Sequence, residues 1–311
     1  MTPLKFLSVG SATLDLFFQS DNLPEIENGM RLSLAYGGKY IASNFAESIG
    51  GGGCNAAVSL ARQGFEVYFW GKIDKTRAGQ KILTALKKEG INTKLVDTSS
   101  ERVTTSAILL GKKKEKTIIM YRAKNDLLNF TEEVKKTMKE CQWLYFADLA
   151  LCPKKEKLDW LKFAKDYGLK TFVSLSGREY KKGIDYLDEY FALSDIFILN
   201  AHELADIWQG DAPDLDLKNI NYAQKLNLPL LIVTCDIRGS YAYTKDKVFY
   251  QPILKTKIAD GTGAGDAYGS GFLGKYVKTG DIQKAMEFGA RNASSVIFYL
   301  TTQRGLLYDK Q

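Results

Sequence analysis

Short apolar runs alternate with helix-period stretches along most of this 311-residue chain. Each run has the length of a buried strand and is bounded by polar or glycine-containing turns. Repeated strand–helix units form a mostly parallel sheet with helices on both faces. The sequence therefore predicts an α/β fold, which binds its ligands at the carboxyl ends of the strands. The predicted strands are 6–9, 67–70, 143–146, 171–175, 196–199 and 230–233.

Two segments depart from this alternation and predict a small separate β-sheet. Residues 14–19 alternate in polarity, and 31–35 have the composition of another strand. Residues 104–121 predict a hairpin around a turn rich in glycine and lysine. A sheet of this kind suits a lid that excludes water from an enzyme's active site. We predict one domain over 1–311, with the lid contributed by about 11–45 and 104–122.

The composition is that of a globular protein and limits the partners. A hydrophobic fraction of 45% and a charged fraction of 25% allow a sizeable core. The net charge of +7 is a mild excess, and runs such as 112–116 are typical of solvated turns, so we expect no nucleic-acid partner. No stretch approaches the roughly 18 apolar residues of a membrane span, and the first residues lack a signal-peptide core. We therefore expect no membrane partner and a cytoplasmic location.

The cysteine and histidine content argues against several classes of site. The single histidine, His202, is too little for His/Cys zinc sites, Ser-His-Asp triads or Cys-His dyads, and we expect it on a helix surface. The four cysteines have no Cys-x-x-Cys spacing, and a chain of this length needs no disulfides, which fits a reducing compartment. These cysteines are Cys54, Cys141, Cys152 and Cys235.

A glycine-rich segment before the last long helical stretch is the most informative motif. Glycines at 261, 263 and 265 allow backbone N–H groups to converge at a helix N-terminus, where the helix dipole favours a phosphate. The carboxylate of Asp266, in the first turn, is placed to reach a nucleophile beside that anion. For Asp266 considered alone, ordinary helix capping is the more common explanation.

The same helix contains two patterns that we reject as nucleotide motifs. Residues 269–274 match GxGxxG and 269–275 match GxxxxGK, but both lie inside the helix instead of at a strand-to-helix turn. Tyr276 also stands where a phosphate loop needs Ser or Thr. A dinucleotide-binding oxidoreductase is therefore a disfavoured alternative.

A second glycine run, 50–53, leads into another helix near the N-terminus. Its backbone amides can face a ligand, and Asn55 adds an amide that both donates and accepts. From the residues alone, a flexible loop followed by an asparagine cap explains this pattern equally well.

Together, the two glycine-rich segments resemble the signatures of the PfkB family of ribokinase-like carbohydrate kinases. Residues 260–266 are similar to its Asp-Thr-Thr-Gly-Ala-Gly-Asp motif, with Gly261 in place of the first Thr, and 50–64 resemble its Gly-Gly, Asn, Ala-Arg, Gly motif. The resemblance implies a ribokinase-like three-layer α/β/α domain with a small β lid. It implies an ATP-dependent kinase that moves the γ-phosphate to a hydroxymethyl group of a small sugar. An adenosine-like nucleoside kinase is the alternative, and a non-catalytic sugar- or nucleotide-binding regulator is less favoured.

Weaker matches and departures extend over most of the chain. Residues 10–15 and 122–127 resemble the family's substrate strand and the return from its lid, and 200–203 fit its Asn-x-x-Glu motif. Residues 234–239 resemble its Thr-x-Gly-x-x-Gly nucleotide loop, with Asp236 at the first glycine. The family's Gly-x-x-Gly-x-Asp and Asp-x-Asn-x-Arg segments are altered here, and Arg178 is retained. These departures leave the sugar and nucleotide preferences open.

The resemblance assigns roles to individual residues. The catalytic group is Asp266 as general base with the amides of Gly263, Ala264 and Gly265. The substrate-binding group is Asp15, Gly50, Gly51, Gly52, Asn55 and Asp148. The nucleotide-binding group is Thr234, Arg238, Gly239 and Asn292. Asp148 is a weaker candidate in the substrate-binding group, because a carboxylate at a strand end is often only a turn residue.

The resemblance also implies cofactors and a partner. ATP is the expected co-substrate, with Mg²⁺ held through water by Asn200 and Glu203, although a strand-end turn and a first-turn carboxylate explain these two residues when considered alone. Asp260 and Thr262 correspond to positions that help bind a monovalent cation, expected to be K⁺. A homodimer through the lid is the expected assembly.

Overall fold

The computed structural model describes residues 3–27, 31–112, 116–124, 127–208, 215–257, 259 and 261–309. Its strands are β1 (Lys5–Val9), β2 (Thr13–Gln19), β3 (Glu25–Ile26), β4 (Arg31–Leu32), β5 (Asn44–Gly50), β6 (Glu66–Trp70), β7 (Lys72–Asp74), β8 (Asp97–Ser100), β9 (Thr104–Leu110), β10 (Lys116–Tyr121), β11 (Trp143–Ala147), β12 (Lys170–Ser174), β13 (Ile196–Asn200), β14 (Leu230–Thr234), β15 (Ser240–Thr244) and β16 (Val248–Gln251). Its helices are α1 (Gly52–Arg62), α2 (Arg77–Lys88), α3 (Glu132–Glu140), α4 (Lys154–Asp166), α5 (Gly177–Tyr180), α6 (Ile184–Ala192), α7 (Ala201–Ile207), α8 (Tyr222–Lys225), α9 (Ala264–Thr279) and α10 (Ile282–Val296).

An eight-stranded sheet forms the middle layer, in the order β16-β15-β14-β13-β12-β11-β1-β6. The strands from β14 to β6 pair in parallel, and β15 and β16 extend the sheet as antiparallel strands. Every predicted apolar run is one of these parallel strands. The parallel strands read as continuous apolar runs because helices cover both of their faces. The predicted α/β architecture is confirmed.

Helices lie on both faces of this sheet and enclose two apolar cores. Side chains of β1 alternate between them, with Phe6 in one core and Leu7 in the other. Residues of α1, α2, α9 and α10 fill the core that contains Phe6. Residues of α3, α4, α6 and α7 fill the core that contains Leu7. The result is the predicted three-layer α/β/α arrangement.

A separate four-stranded sheet has the order β10-β9-β2-β5, and we call it the lid sheet. Strand β2 pairs in parallel with β9 and antiparallel with β5, while β10 returns antiparallel to β9 as the predicted hairpin. Phe17, Ile108 and Leu110 pack together on this sheet and against Leu300, which follows α10. The lid sheet therefore rests on the C-terminal part of the main domain.

The prediction that residues 31–35 supply a lid strand is wrong. Only Arg31–Leu32 is a strand, and it pairs with Glu25–Ile26 in a two-stranded sheet of its own. The fourth lid strand is β5, Asn44–Gly50, for which the sequence shows no strand pattern. Its outer half is exposed, so it shows little of the apolar alternation that marks a half-buried strand.

The end of β1 and the start of α1 approach each other too closely for any side chain. A Cβ added to Gly53 would lie 2.6 Å from the Cα of Gly10, and one added to Gly10 would lie 2.8 Å from the Cα of Gly53. Glycine at both positions lets the backbones touch. This contact fixes the N-terminus of α1 against the carboxyl edge of the main sheet.

Two further features concern the environment of the chain. All four cysteines are free thiols, and all are buried. Within the described residues, no helix is both long and apolar enough to cross a bilayer.

Candidate active site

Most of the predicted functional residues that the structure describes lie where the lid sheet meets the carboxyl edge of the main sheet. Asp148 follows β11, and Asn200 and Thr234 end the neighbouring strands β13 and β14. The lid strand β2 carries Asp15, and the N-terminus of α9 carries Asp266. The fold thus gathers at one edge residues that are up to about 250 positions apart in the chain, as parallel sheets do.

The glycine-rich segment begins α9 with a left-handed residue. Gly263 has φ +80°, a conformation that side chains other than glycine rarely adopt, and it packs against Thr302. Ala267 N donates to Gly263 O at 2.9 Å, and Ala264 N lies 3.4 Å from Gly261 O. The next amides, of Gly265 and Asp266, belong to a first helical turn, which has no acceptors within its own helix. This turn has the form of an anion site.

Asp266 faces the start of α1 and does not cap its own helix. Among the described residues, none caps α9 with its side chain. Asp266 Oδ2 instead accepts a hydrogen bond of 2.9 Å from Asn55 Nδ2. Burial raises the pKa of Asp266, and the hydrogen bond from Asn55 opposes that rise. A carboxylate with a raised pKa beside an anion site has the properties of a general base.

Hydrogen bonds to its side-chain oxygen hold Asn55 in place. Its Oδ1 accepts hydrogen bonds from Gln303 Nε2 at 3.1 Å and from Thr302 Oγ1 at 3.3 Å, and the residue is 2% exposed. Thr302 and Gln303 were not identified from the sequence, because only the fold brings the segment after α10 to α1. This arrangement fits Asn55 as a positioning residue for Asp266 better than as a direct substrate ligand.

Asp15 lies in a polar row across the inner part of the lid sheet. Its register partners are Ser48 on β5 and Ser106 on β9, and all three residues are buried. Gly50 lies against the Asp15 carboxylate, where a side chain would collide. Neighbouring residues on one face of a sheet act together, so the row presents one carboxylate and two hydroxyls. The two serines were missed because their cross-strand pairing is not visible in the sequence.

A cleft of ≈ 610 Å³ opens beside these groups and is rich in cations. Arg122, at the exit from the lid sheet, lines it together with Arg178 and Lys181, from α5 and the residue after it. Ser11, Asp148 and Asp206 also line it. The retained Arg178 was noted in the sequence, but its convergence with Arg122 and Lys181 depends on the fold.

Asp148 is engaged in a buried ion pair. Its Oδ1 lies 2.7 Å from Lys157 Nζ, and its Oδ2 accepts from the amide of Ser176 at 3.3 Å. Lys157 is 1% exposed and also lies 3.4 Å from Glu179. Burial alone would lower the pKa of Lys157, but Asp148 and Glu179 raise it, so the ammonium stays charged. In this structure Asp148 holds the segment that carries Arg178, although it also lines the cleft.

The predicted nucleotide loop follows β14. Thr234 ends that strand, residues 236–238 form a 3₁₀ turn that includes Arg238, and Gly239 (φ +84°) packs against the backbone of Gln251. Asp236, at the position of the family's glycine, adopts the same left-handed region with φ +46°. Aspartate tolerates this conformation better than most side chains. The loop therefore carries a carboxylate at a left-handed position, where the family's motif has a glycine.

The prediction that Asn292 binds the nucleotide is wrong. Asn292 is 0% exposed on α10. Its Nδ2 donates to Ala267 O at 2.7 Å and to Ser59 Oγ at 3.2 Å, and its Oδ1 accepts from Leu307 N at 2.8 Å. These bonds join α1, α9 and the C-terminal segment, so Asn292 stabilises the packing beneath the anion site.

Asn200 and Glu203 form a reciprocal capping box at the start of α7. Asn200 Oδ1 accepts from Glu203 N at 2.9 Å, and Glu203 Oε2 accepts from Asn200 N at 2.8 Å. Burial raises the pKa of Glu203 to about 7, with the backbone hydrogen bond from Asn200 opposing the rise and Asp206 adding to it. The capping box uses only the Oε2 atom of Glu203. The other carboxylate oxygen, Oε1, faces Gly177.

Of the two residues predicted to bind a monovalent cation, the structure describes only Thr262. Asp260 lies outside the described residues. Thr262 Oγ1 accepts a hydrogen bond of 2.6 Å from Lys116 Nζ, which begins the lid strand β10. The described residues contain no group of three or more His, Cys, Asp or Glu side chains arranged to hold a metal ion.

Comparison with known proteins agrees with this geometry. The family model for the pfkB family carbohydrate kinases matches residues 4–307. The chain belongs to this family. It is an ATP-dependent sugar kinase, and the expected ribokinase-like fold and kinase activity are confirmed.

Relatives and solved structures cover nearly the same length. The chain is 29% identical over 268 residues to the 5-dehydro-2-deoxygluconokinase of Bacillus subtilis (strain 168), covering 81% of this chain and 82% of that one. It is 26% identical to that of Lacticaseibacillus casei, covering 98% and 93%. The structure of Arabidopsis thaliana ribokinase complexed with ribose and ATP matches with a TM-score of 0.74 and 19% identity over 96% of this chain and 94% of that one.

Asp266→Asn is expected to lower kcat by about 10²- to 10⁴-fold, because the amide cannot accept the proton of the acceptor hydroxyl. Nucleotide affinity should stay within a few-fold of wild type. Asp281→Asn is the matched control, since Asp281 caps α10 by accepting from Lys284 N at 3.0 Å and has no place in the site. Steady-state kinetics of both variants check the assignment, and near-wild-type turnover of Asp266→Asn would refute it.

Asn55→Leu is expected to move the acidic limb of the pH profile of kcat/KM to higher pH. Asn55 lowers the pKa of Asp266, so its loss raises that pKa, and the base becomes protonated at a higher pH than in wild type. Gln303→Leu is the control, because it removes a donor to Asn55 but leaves the hydrogen bond to Asp266. An unshifted acidic limb in Asn55→Leu, or a larger shift in Gln303→Leu, would contradict the positioning role.

Proposed function

We propose that this kinase phosphorylates the hydroxymethyl group of a small sugar that carries a carboxylate. The observation that supports this substrate class is the cluster of Arg122, Arg178 and Lys181 in the cleft beside the site. A single arginine side chain binds a carboxylate in a bidentate geometry, through two parallel hydrogen bonds. A cleft that binds only neutral sugars does not need three cationic side chains. The relatives named above act on 5-dehydro-2-deoxygluconate, which is such an acid.

The polar row of the lid sheet supports the sugar end of the proposal. Asp15, Ser48 and Ser106 offer one carboxylate and two hydroxyls to vicinal hydroxyl groups, and the backbone of Gly50, Gly51 and Gly52 borders the same space. A site built to hydrogen-bond hydroxyls discriminates strongly against analogues that lack them.

The transfer step uses Asp266 and the start of α9. Asp266 takes the proton of the acceptor hydroxyl while that oxygen forms a bond to the γ-phosphorus. The bond from phosphorus to the β–γ bridging oxygen breaks, and ADP leaves with the electron pair. The amides of the first turn, from Gly263 to Gly265, stabilise the charge on the transferring group.

The nucleotide and metal assignments follow the carboxyl edge of β13 and β14. Thr234, Arg238 and Gly239 would border the nucleotide. Glu203 Oε1, outside the capping box, fits a water-mediated contact to the Mg²⁺ that accompanies ATP, since Mg²⁺ keeps several waters. For K⁺ the fit is weaker, because the Thr262 hydroxyl is hydrogen-bonded to Lys116.

The exposed edge of the lid sheet supports a homodimer. Strand β10 is exposed along its length, and its apolar residues Ile118, Ile119, Met120 and Tyr121 are all exposed. An exposed apolar edge strand is a template for pairing with a second chain. The free, buried cysteines support a cytoplasmic location for the enzyme.

The substrate proposal predicts that 5-dehydro-2-deoxygluconate gives a kcat/KM at least about tenfold above ribose, fructose and adenosine. Arg178→Gln should lower kcat/KM for the acid about 10- to 100-fold, the value of one charge-assisted hydrogen bond, and change the neutral sugars little. Arg77→Gln, an arginine on α2, is the control. A coupled assay measures all variants, and a neutral sugar or nucleoside that exceeds the acid tenfold would overturn the proposal.

The dimer proposal predicts that wild type sediments as a dimer at micromolar concentration and that Ile119→Lys sediments as a monomer. A lysine on the edge strand blocks pairing by placing like charges opposite each other. Ile253→Lys is the control, because Ile253 is similarly exposed but lies outside the lid sheet. A monomeric wild type, or a dimeric Ile119→Lys, would exclude this interface.

A further inference from the structure

The lid sheet places one cation directly on the anion-site segment. Lys116 is the first residue of β10, and its Nζ donates to Thr262 Oγ1 at 2.6 Å. The two residues are 146 positions apart in sequence, and the contact bridges the lid sheet and the segment that begins α9. This contact is distinct from the cleft cluster of Arg122, Arg178 and Lys181, which lies beside Asp148.

The position of Thr262 gives this contact its significance. Thr262 immediately precedes Gly263, the N-cap of α9, whose first-turn amides form the anion site. A 16-residue helix carries a partial positive charge at this end, which attracts the phosphoryl oxygens. The Lys116 ammonium, bound to Thr262, therefore lies beside the anion site that would hold the transferring phosphoryl group.

Phosphoryl transfer is accelerated by charge stabilisation more than by covalent chemistry. Negative charge spreads over the three equatorial oxygens of the transferring group, and cations that arrive in place are a recurring part of such sites. Lysine is a compact point charge on a flexible stem, which lets its ammonium move a short distance from a hydroxyl to a phosphate oxygen.

We infer that Lys116 is a catalytic residue that the lid sheet delivers to the γ-phosphoryl group. Before ATP binds, Thr262 Oγ1 holds the ammonium at the anion site. When ATP and the acceptor are bound, the ammonium donates to a γ-phosphate oxygen and neutralises part of the charge that develops there. The lid sheet thus completes the catalytic site in addition to covering it.

The packing of the lid sheet supports this role. Phe17, Ile108 and Leu110 of the lid sheet pack against Leu300 of the main domain. This contact fixes the position of the hairpin that carries Lys116. Thr302, two residues after Leu300, packs against Gly263 and hydrogen-bonds the lid-strand carbonyl of Ile49 at 3.1 Å. Lid position and anion site are therefore connected by one short segment.

Lys116→Met tests the inference, because methionine keeps most of the aliphatic stem and removes the charge. We expect kcat to fall by about 10²-fold or more, the cost of one lost transition-state donor, with the KM for the sugar changed less than about threefold. Lys116→Arg should recover at least about a tenth of wild-type kcat. Lys112→Met, in the same hairpin, is the control and should behave as wild type.

Binding measurements separate this role from a purely structural one. With saturating sugar, Lys116→Met should weaken the non-hydrolysable analogue AMP-PNP about tenfold and ADP less than about threefold, since only the analogue has a γ-phosphoryl group. The assays use whichever acceptor of the panel is turned over fastest, so failure of the carboxylate proposal leaves this test intact. A kcat within threefold of wild type, a loss confined to the sugar KM, or equal weakening of both nucleotides would overturn it.

Discussion

The contact between the backbones at Gly10 and Gly53 is the constraint on which the site depends. It brings the start of α1 against the carboxyl edge of the main sheet, with no room for a Cβ on either residue. Asn55, one turn into α1, thereby meets Asp266 on α9. Without this approach, the two glycine-rich segments of the sequence would not face each other, and Asp266, the proposed general base, would lose the hydrogen bond that opposes its protonation.

Most of the polar residues around the site serve to place a few others. Asn292 joins three segments under the anion site, and Lys157 with Asp148 fixes the segment of Arg178. Each of these three buried side chains has hydrogen-bond partners, since a buried polar group without one would cost free energy. The charged side chains that line the cleft are consequently few: Arg122, Arg178, Lys181, Asp148 and Asp206.

The sequence predicted particular parts of this structure well. All six apolar runs became parallel strands, because a strand buried on both faces must be apolar throughout. The hairpin from Thr104 to Tyr121 also formed as predicted. Strand β5 was missed because the exposed half of a lid strand shows no alternating burial pattern in the sequence. The strand predicted at 31–35 is only two residues long in the structure. Asn292 was misassigned because a buried asparagine and a ligand-binding one look alike in sequence.

The sequence by itself determined the fold class, the family and the segment proposed to be catalytic, because glycine spacing and apolar runs are local properties that can be recognised without knowledge of contacts. Tertiary structure decided which role each polar residue takes. Asp266 is half-buried and paired with Asn55, Asp148 is paired with Lys157, and Thr262 accepts a hydrogen bond from Lys116 of the lid sheet. These pairings join residues from 9 to 211 positions apart. Pairing at such separations is set by how strands and helices pack, which no local pattern encodes.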